Sequence, residues 1–179
     1  MDVRISVIVP AYNRKRYLLG AVKSALNQTL PRDHYEVIVI KNFRDDLIDS
    51  KLNEWGVTNL YSESVGFGAM IYEALQAAKG EVISFLDDDD EFLPGKLQAV
   101  YEAFKRGVVY YHNSQQFINE SGRVLGARKG NSYIIESRDK PRYLPFFAHY
   151  EADFNGSSTA VARELLKEYA SYLKDLETA

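Results

Sequence analysis

The chain has 179 residues, 46% hydrophobic and 26% charged, with a formal net charge of −3, a composition suited to a soluble globular protein with a sizeable core. Its basic stretches are no longer than Arg14-Lys15-Arg16 and Arg128-Lys129, which argues against a nucleic-acid partner. The absence of cysteine excludes disulfides, zinc–thiolate sites and a cysteine nucleophile, and three dispersed histidines (His34, His112, His149) do not suit a histidine metal site.

Met1-Asp2-Val3-Arg4 leads directly into a strand-like run without a signal peptide's apolar region. No window approaches 18 apolar residues, so no transmembrane segment is expected. The expected location is cytoplasmic, with peripheral attachment to a membrane left open.

Ile5 to Val9 is β-branched and does not alternate, the mark of a strand buried on both faces. Asn13 reads as a helix N-cap, and Leu18, Ala21, Val22 and Ala25 then recur at helical spacing. Val37 to Ile40 reads as a second buried strand, followed by a helical face of Leu47, Ile48, Lys51, Leu52 and Trp55. Val57 to Tyr61 is a weaker strand. The alanine-rich stretch from Ala69 to Ala78 is predicted helical, with Gly80 at a C-cap position. Glu81 to Leu86 is the fourth strand, and Leu97, Val100, Tyr101 and Phe104 mark another helix.

Four strands alternating with helices predict a parallel sheet with crossover connections. From about residue 107 the pattern breaks into short strand candidates: Val108 to His112, Ser114 to Ile118, Val124-Leu125 and Tyr133 to Ile135. Asn119 to Gly122 lies between two of them as a hairpin turn. A terminal amphipathic helix is predicted from Ala162, Leu165, Leu166, Tyr169, Leu173 and Leu176. The fold class is α/β: a Rossmann-like, mostly parallel sheet flanked by helices, with an irregular mixed second half.

Four adjacent carboxylates, Asp87 to Asp90, follow the fourth strand, with Glu91 behind them. Open parallel sheets bind ligands beyond the carboxyl ends of their strands. In an extended segment Asp87 and Asp89 point to one side and Asp88 to the other. Two converging carboxylates suit a hard divalent cation that completes its shell with water and substrate phosphates. The competing reading is that Asp88, Asp90 and Glu91 solvate a turn and favour the next helix N-terminus. No glycine-rich phosphate loop accompanies the cluster, which fits phosphate handling by a metal.

Three stretches together resemble the family 2 glycosyltransferases of the GT-A fold. They are Ser6 to Arg14 (SVIVPAYNR), Gly80 to Asp90 (GEVISFLDDDD), and the spacing between them, with Glu36 to Ile40 as second strand and Gly66 to Gly80 as the helix before the D-x-D motif. The resemblance covers roughly residues 4 to 105 well and the remainder loosely. It implies transfer of a sugar from a UDP- or GDP-sugar donor to an acceptor hydroxyl on a glycan, lipid-linked or other acceptor, usually with inversion. It further implies that Asp87 and Asp88 meet the donor, that Asp89 and Asp87 hold Mg²⁺ or Mn²⁺, and that Pro10, Ala11 and Tyr12 line the nucleoside pocket. Tyr12 also reads as a packing residue at the start of the helix. A single domain over 1–179 is expected, with a nucleotide-sugar half over about 1–105 and an acceptor-side half over about 106–179.

The chain departs from the family pattern in three places. Lys41-Asn42-Phe43-Arg44 stands where Asp-Asp-Gly-Ser is common; the Asn42 amide is then the candidate partner of the base, and Lys41 a partner for a carboxylate. Ile71-Tyr72 replaces a common Arg-Asn. The family's general base belongs to a Glu-Asp-like motif after the last helix, about where Ala179 ends this sequence, so the chain reads as incomplete at its C-terminus. Glu151 and Asp153, before the turn-like Asn155 to Ser158, are the internal candidates for the base, which must reach the acceptor hydroxyl. Tyr110-Tyr111, Tyr143 and Phe146-Phe147 are candidates to stack on sugars. The alternatives are a nucleotide-sugar-binding module impaired in catalysis and a sugar-phosphate nucleotidyltransferase, although the loop after the first strand lacks the glycines the latter wants.

Overall fold

The computed structural model describes residues 4–64, 66–128 and 155–168. Strand β1 (Ile5–Ala11) is followed by α1 (Leu18–Leu26), β2 (Tyr35–Lys41), α2 (Asp46–Glu54), β3 (Thr58–Tyr61), α3 (Phe67–Ala77), β4 (Val82–Phe85) and α4 (Lys96–Lys105). Then come β5 (Tyr110–His112), β6 (Gln115–Ile118), β7 (Val124–Arg128), β8 (Thr159–Ala162) and α5 (Arg163–Glu168).

The main sheet has the order β3-β2-β1-β4-β8-β5. Strands β1 to β4 run parallel, as their buried, non-alternating sequences predict. Strand β8 enters antiparallel between β4 and β5. All seven residues of β1 are buried. Ile5, Val7, Val9, Val37 and Val39 face a core shared with Leu18 and Val22 of α1, Leu52 of α2 and Leu97 and Val100 of α4. Ile8, Ile38, Ile40 and Ile83 face the other way, onto Met70, Ile71, Ala74 and Leu75 of α3. The result is a helix–sheet–helix sandwich.

Pro10 opens the sheet where the site lies. On the β4 side of β1, the carbonyls of Arg4 and Ile8 accept from Val82 and Leu86 at 3.1 and 3.0 Å. Alternation puts Pro10 on that same side, where a donor is missing. The β1–β4 register ends at Ile8–Phe85, whereas the β1–β2 register continues to Ala11–Lys41. The two strands part there, leaving a crevice between Tyr12-Asn13 and Asp87-Asp88.

Several local expectations are corrected. Asn13 is not the N-cap of α1, which begins only at Leu18 behind Tyr17; Asn13 instead turns the chain at φ 56. Gly80 is not a C-cap. Helix α3 ends at Ala77 with Ala78 as its C-cap, and Gly80 packs so closely on β1 that a Cβ there would lie 2.5 Å from the Ser6 nitrogen. Leu47 is 72% exposed, so the buried face of α2 reduces to Ile48 and Leu52. Thr159 to Ala162 is a strand rather than loop and helix start. The hairpin β6–β7 forms as expected, with Gly122 at φ 76. The strand predicted at Tyr133 to Ile135 lies outside the described residues.

Candidate functional site

Three segments meet at the carboxyl edge of the sheet. The first is the loop after β1, from Tyr12 to Tyr17. The second is the acidic stretch after β4, and the third is the turn Asn155–Ser158 before β8.

The acidic stretch does not stay extended. The Asp90 N–H donates to the Asp87 carbonyl at 3.1 Å, closing a turn over Asp88 and Asp89. The alternation expected of Asp87 and Asp89 is therefore replaced by a different grouping. Asp88 and Asp89 share one cation, the guanidinium of Arg14. Nη1 lies 2.6 Å from Asp89 Oδ2, Nη2 contacts Asp88 Oδ1 and lies 3.3 Å from Asp89 Oδ1, and Nε is 3.3 Å from Asp88 Oδ2. The Asp88 side chain is 3% exposed against 42% for Asp89.

Asp87 faces the third segment. Its N–H donates to Ser157 Oγ at 2.9 Å, and a Cβ placed on Gly156 would lie 3.1 Å from Asp87 Oδ1. Asp90 is tied to the same turn, accepting from Ser157 Oγ at 2.6 Å and Asn155 Nδ2 at 3.0 Å. Asp90 is therefore fastened in place rather than simply solvated. Burial first, then the charges of Asp90, Asp89 and Asp88, push the Asp87 carboxyl up to about 6. Arg14 is the smallest influence on it.

That imbalance suits a divalent cation. Asp87 is half-buried, protein cations do little to offset its charge, and a side chain at Gly156 would crowd its carboxylate. Among the described residues no three carboxylates or histidines form a ready-made cage, but Mg²⁺ needs only one or two protein carboxylates when phosphates complete its shell. The carboxylates present are of the kind such an ion takes, although Asp87 and Asp89 do not converge on one point as an extended chain would have them.

The nucleoside side is only partly as expected. Pro10 and Ala11 are buried strand residues, while Tyr12 is 43% exposed, which removes its reading as a packing residue. Asn42 is already engaged. Its Oδ1 accepts from the Asn13 N–H at 2.8 Å and its Nδ2 donates to Asn13 Oδ1 at 3.1 Å. Lys41, 1% exposed, pairs with Asp49 of α2 at 2.7 Å and donates to the Phe43 carbonyl at 2.9 Å. Burial raises Asp49, but bonds from Lys41 and Asn59 outweigh it and hold the carboxyl below its ordinary value. Lys41 thus turns into the fold, away from the crevice. Tyr111 is partly buried against the core, with Lys96 Nζ 5.2 Å from its ring centroid. Glu151, Asp153, His149, Tyr143 and Phe146-Phe147 lie outside the described residues.

The sequence reading missed Arg14 as a site residue, because its partners lie 74 and 75 positions away. Its neighbours in the basic triplet are bound too. Lys15 reaches Asp45 at 3.0 Å, and Arg16 reaches Glu120 on the β6–β7 turn at 3.0 Å. A hollow of about 400 Å³ adjoins the acidic turn, walled by Arg16, Tyr17, Asp89, Asp90, Asn119 and Glu120 among others. Another of about 630 Å³, at Lys23, Arg32 and Trp55, lies away from these carboxylates.

Residues 6–170 match the family described as Glycosyl transferase family 2. The chain belongs to that family. A poly(ribitol-phosphate) beta-glucosyltransferase of Bacillus spizizenii is 30% identical over 149 residues, covering 79% of this chain and 21% of the relative. The putative glycosyltransferase EpsH of Bacillus subtilis is 30% identical over 161 residues, covering 86% and 45%. The chain thus spans between a fifth and a half of the lengths of these curated relatives. Among solved structures, S. aureus TarS 1-349 superposes with a TM-score of 0.68 at 20% identity, covering 98% of this chain and 52% of that one. The mannosyltransferase PcManGT of Pyrobaculum calidifontis, solved with GDP-Man and Mn²⁺, gives 0.63 at 22% identity, covering 94% and 47%. The fold is therefore GT-A, a mostly parallel sheet between helices. No helix among the described residues is long and apolar enough to cross a membrane.

Proposed function

We propose that this chain is the catalytic GT-A unit of a divalent-metal-dependent glycosyltransferase acting on a nucleoside-diphosphate-sugar donor. The observation that carries the reading is the half-buried Asp87 carboxyl, raised to about 6 by burial and three neighbouring aspartates, at the mouth where β1 and β4 part. Membership of the family supports it. So does the binding of UDP and of UDP-GlcNAc by TarS 1-349, and of GDP-Man with Mn²⁺ by PcManGT. The donor half runs to about residue 105 and the acceptor-side half over 106–179 of a single domain.

In this reading Tyr12 and the Asn13–Asn42 amide pair border the nucleoside, with Pro10 and Ala11 forming the strand end beneath it. Asp87 and Asp89 hold Mg²⁺ or Mn²⁺, which when bound offsets the negative charge of the departing nucleoside diphosphate. The acceptor oxygen bonds to the anomeric carbon from the face opposite the leaving group. The bond to the β-phosphate oxygen breaks with its electron pair, and the configuration inverts. A general base takes the hydroxyl proton, with Asp153 and Glu151 the candidates in this chain. Ser157 and Asn155 keep the acidic turn against β8 and so fix Asp87 relative to the acceptor side.

Calorimetric titration of UDP, GDP and dTDP, each with and without Mn²⁺ or Mg²⁺, tests the reading on wild type and Asp89→Ala. Metal-dependent binding of one nucleotide, lost in the variant, is the expected result. Absence of binding under every metal condition sinks it.

A further inference from the structure

Among the described residues, one cation pairs with the acidic turn, and it comes from the far side of the crevice. Arg14 lies on the loop after β1, three residues beyond the end of that strand. Its guanidinium makes four contacts with two carboxylates, Asp88 and Asp89. The planar fork suits carboxylate and phosphate oxygens alike.

Two further features bear on whether this contact can be released. The Arg14 side chain is 60% exposed, so its withdrawal unpacks no core, while Asp88, 3% exposed, then depends on the incoming cation for its counter-charge. The loop that carries it is fastened by other residues: Asn13 to Asn42, Lys15 to Asp45 and Arg16 to Glu120. Release of Arg14 therefore leaves the loop where it is. A residue needed only as a strut would be redundant beside three such fastenings.

We propose that Arg14 is an exchangeable counter-ion of the donor site. It covers Asp88 and Asp89 while the site is empty, gives them up when a divalent cation arrives, and turns its fork to the donor's diphosphate. This rests on the donor-site reading above. It adds a consequence that reading does not contain: the same side chain opposes binding of the metal alone and favours binding of metal with nucleotide.

The test is titration of Mn²⁺ alone, and of UDP and GDP at saturating Mn²⁺, into wild type, Arg14→Gln and Arg14→Lys. Arg14→Gln is expected to bind Mn²⁺ alone about three- to fivefold more tightly, a partly exposed ion pair having been removed. It is expected to bind the preferred nucleotide about tenfold more weakly for want of a charged phosphate partner. Arg14→Lys keeps the charge without the fork, so Mn²⁺ affinity stays near wild type and nucleotide affinity falls between the other two. Opposite signs for the two ligands are what a strut would not produce. Both affinities of Arg14→Gln unchanged within about twofold, or both reduced together, overturns the inference. Should Arg14→Gln prove unfolded by circular dichroism, Arg14→Lys decides, and a wild-type nucleotide affinity there overturns it. Nucleotide binding by wild type that Asp89→Ala abolishes keeps the donor site whatever Arg14 does, whereas a wild type that binds neither ligand removes both.

Discussion

Ser157 Oγ lies 2.6 Å from Asp90 Oδ2, a hydrogen bond between residues 67 positions apart, and the same oxygen receives the Asp87 N–H at 2.9 Å. One hydroxyl thus joins both ends of the acidic turn to the segment preceding β8. Ser157→Ala leaves the Asp87 N–H without that acceptor and Asp90 with Asn155 as its remaining partner on this turn. The expected cost is about 1–2 kcal/mol, read as a lower urea midpoint, with metal-dependent nucleotide binding weakened in parallel. A variant with the wild-type midpoint and wild-type affinity would show that this bond positions nothing.

Lys96 is the first residue of α4 and is 8% exposed, a poor place for a cation on grounds of both burial and helix dipole. Its Nζ donates to Asn113 Oδ1 and lies 5.4 Å from the Phe92 ring centroid and 5.2 Å from that of Tyr111. Burial brings its ammonium down to about 7. The unfolded chain therefore holds this proton up to the ordinary lysine range while the folded chain has lost it. Stability rises with pH from about 7 upward, and the burial penalty is felt in full below 7. Lys96→Met is expected to improve on wild type at pH 6.5 by about 2 kcal/mol more than it does at pH 9, measured by urea unfolding at the two values. The comparison stops at pH 9 because burial raises Tyr35 and Tyr111 above their usual range, which reverses the slope at higher pH. Parallel pH profiles for the two proteins would refute the assignment.

Lys41 and Asp49 form a buried charge pair, with side-chain exposures of 2% and 25%. Removing one partner strands the other, and the lysine is the more deeply enclosed. Asp49→Ala is expected to destabilise by about 2–3 kcal/mol, short of the 3–5 of a fully buried pair because Asp49 retains some water. The double variant Lys41→Met with Asp49→Leu should recover most of that loss. Donor binding that survives in the double variant would confirm that Lys41 serves the fold and not the nucleotide.

Gly80 is required by contact rather than by backbone conformation. An added Cβ would lie 2.5 Å from the Ser6 nitrogen and 2.8 Å from the Ile5 carbonyl carbon, both main-chain atoms of β1. The Gly80 N–H also donates to Ser6 Oγ, which in turn donates to Glu36. Gly80→Ala is expected to cost about 3 kcal/mol, the upper part of the overpacking range, seen as a fall in thermal midpoint. A cost under about 1 kcal/mol would mean that the β1–β4 seam yields easily.

What the sequence discloses follows from how local the cause is. Strands β1, β2 and β4 and helices α1, α3 and α4 declare themselves because Ile5 to Val9, Val37 to Ile40 and the helically spaced apolar residues such as Leu18, Val22, Leu97 and Val100 fix their own partners by burial. Strand β8 does not, because Thr159-Ala-Val-Ala162 is short and small and becomes a strand only by lying between β4 and β5. Position and composition placed the carboxylates at the crevice. Their grouping was misjudged, since alternation holds only in an extended chain and the Asp90 N–H closes a turn on Asp87. Arg14 was invisible as a site residue for a related reason. Arg14-Lys15-Arg16 looks like one basic patch, yet its three side chains reach Asp88 and Asp89, Asp45 and Glu120 in three different parts of the fold.

Pro10 makes the mouth of the site by subtraction. Any other residue there would offer an amide to a strand lengthening beyond Phe85, and the two chains could zip shut over the gap between them. The pyrrolidine ring withholds that amide permanently. The gap is thus written into the covalent chain and does not wait for a ligand to prop it open, so that, in the donor-site reading proposed above, the energy of donor binding goes into gripping the donor instead of prising two strands apart.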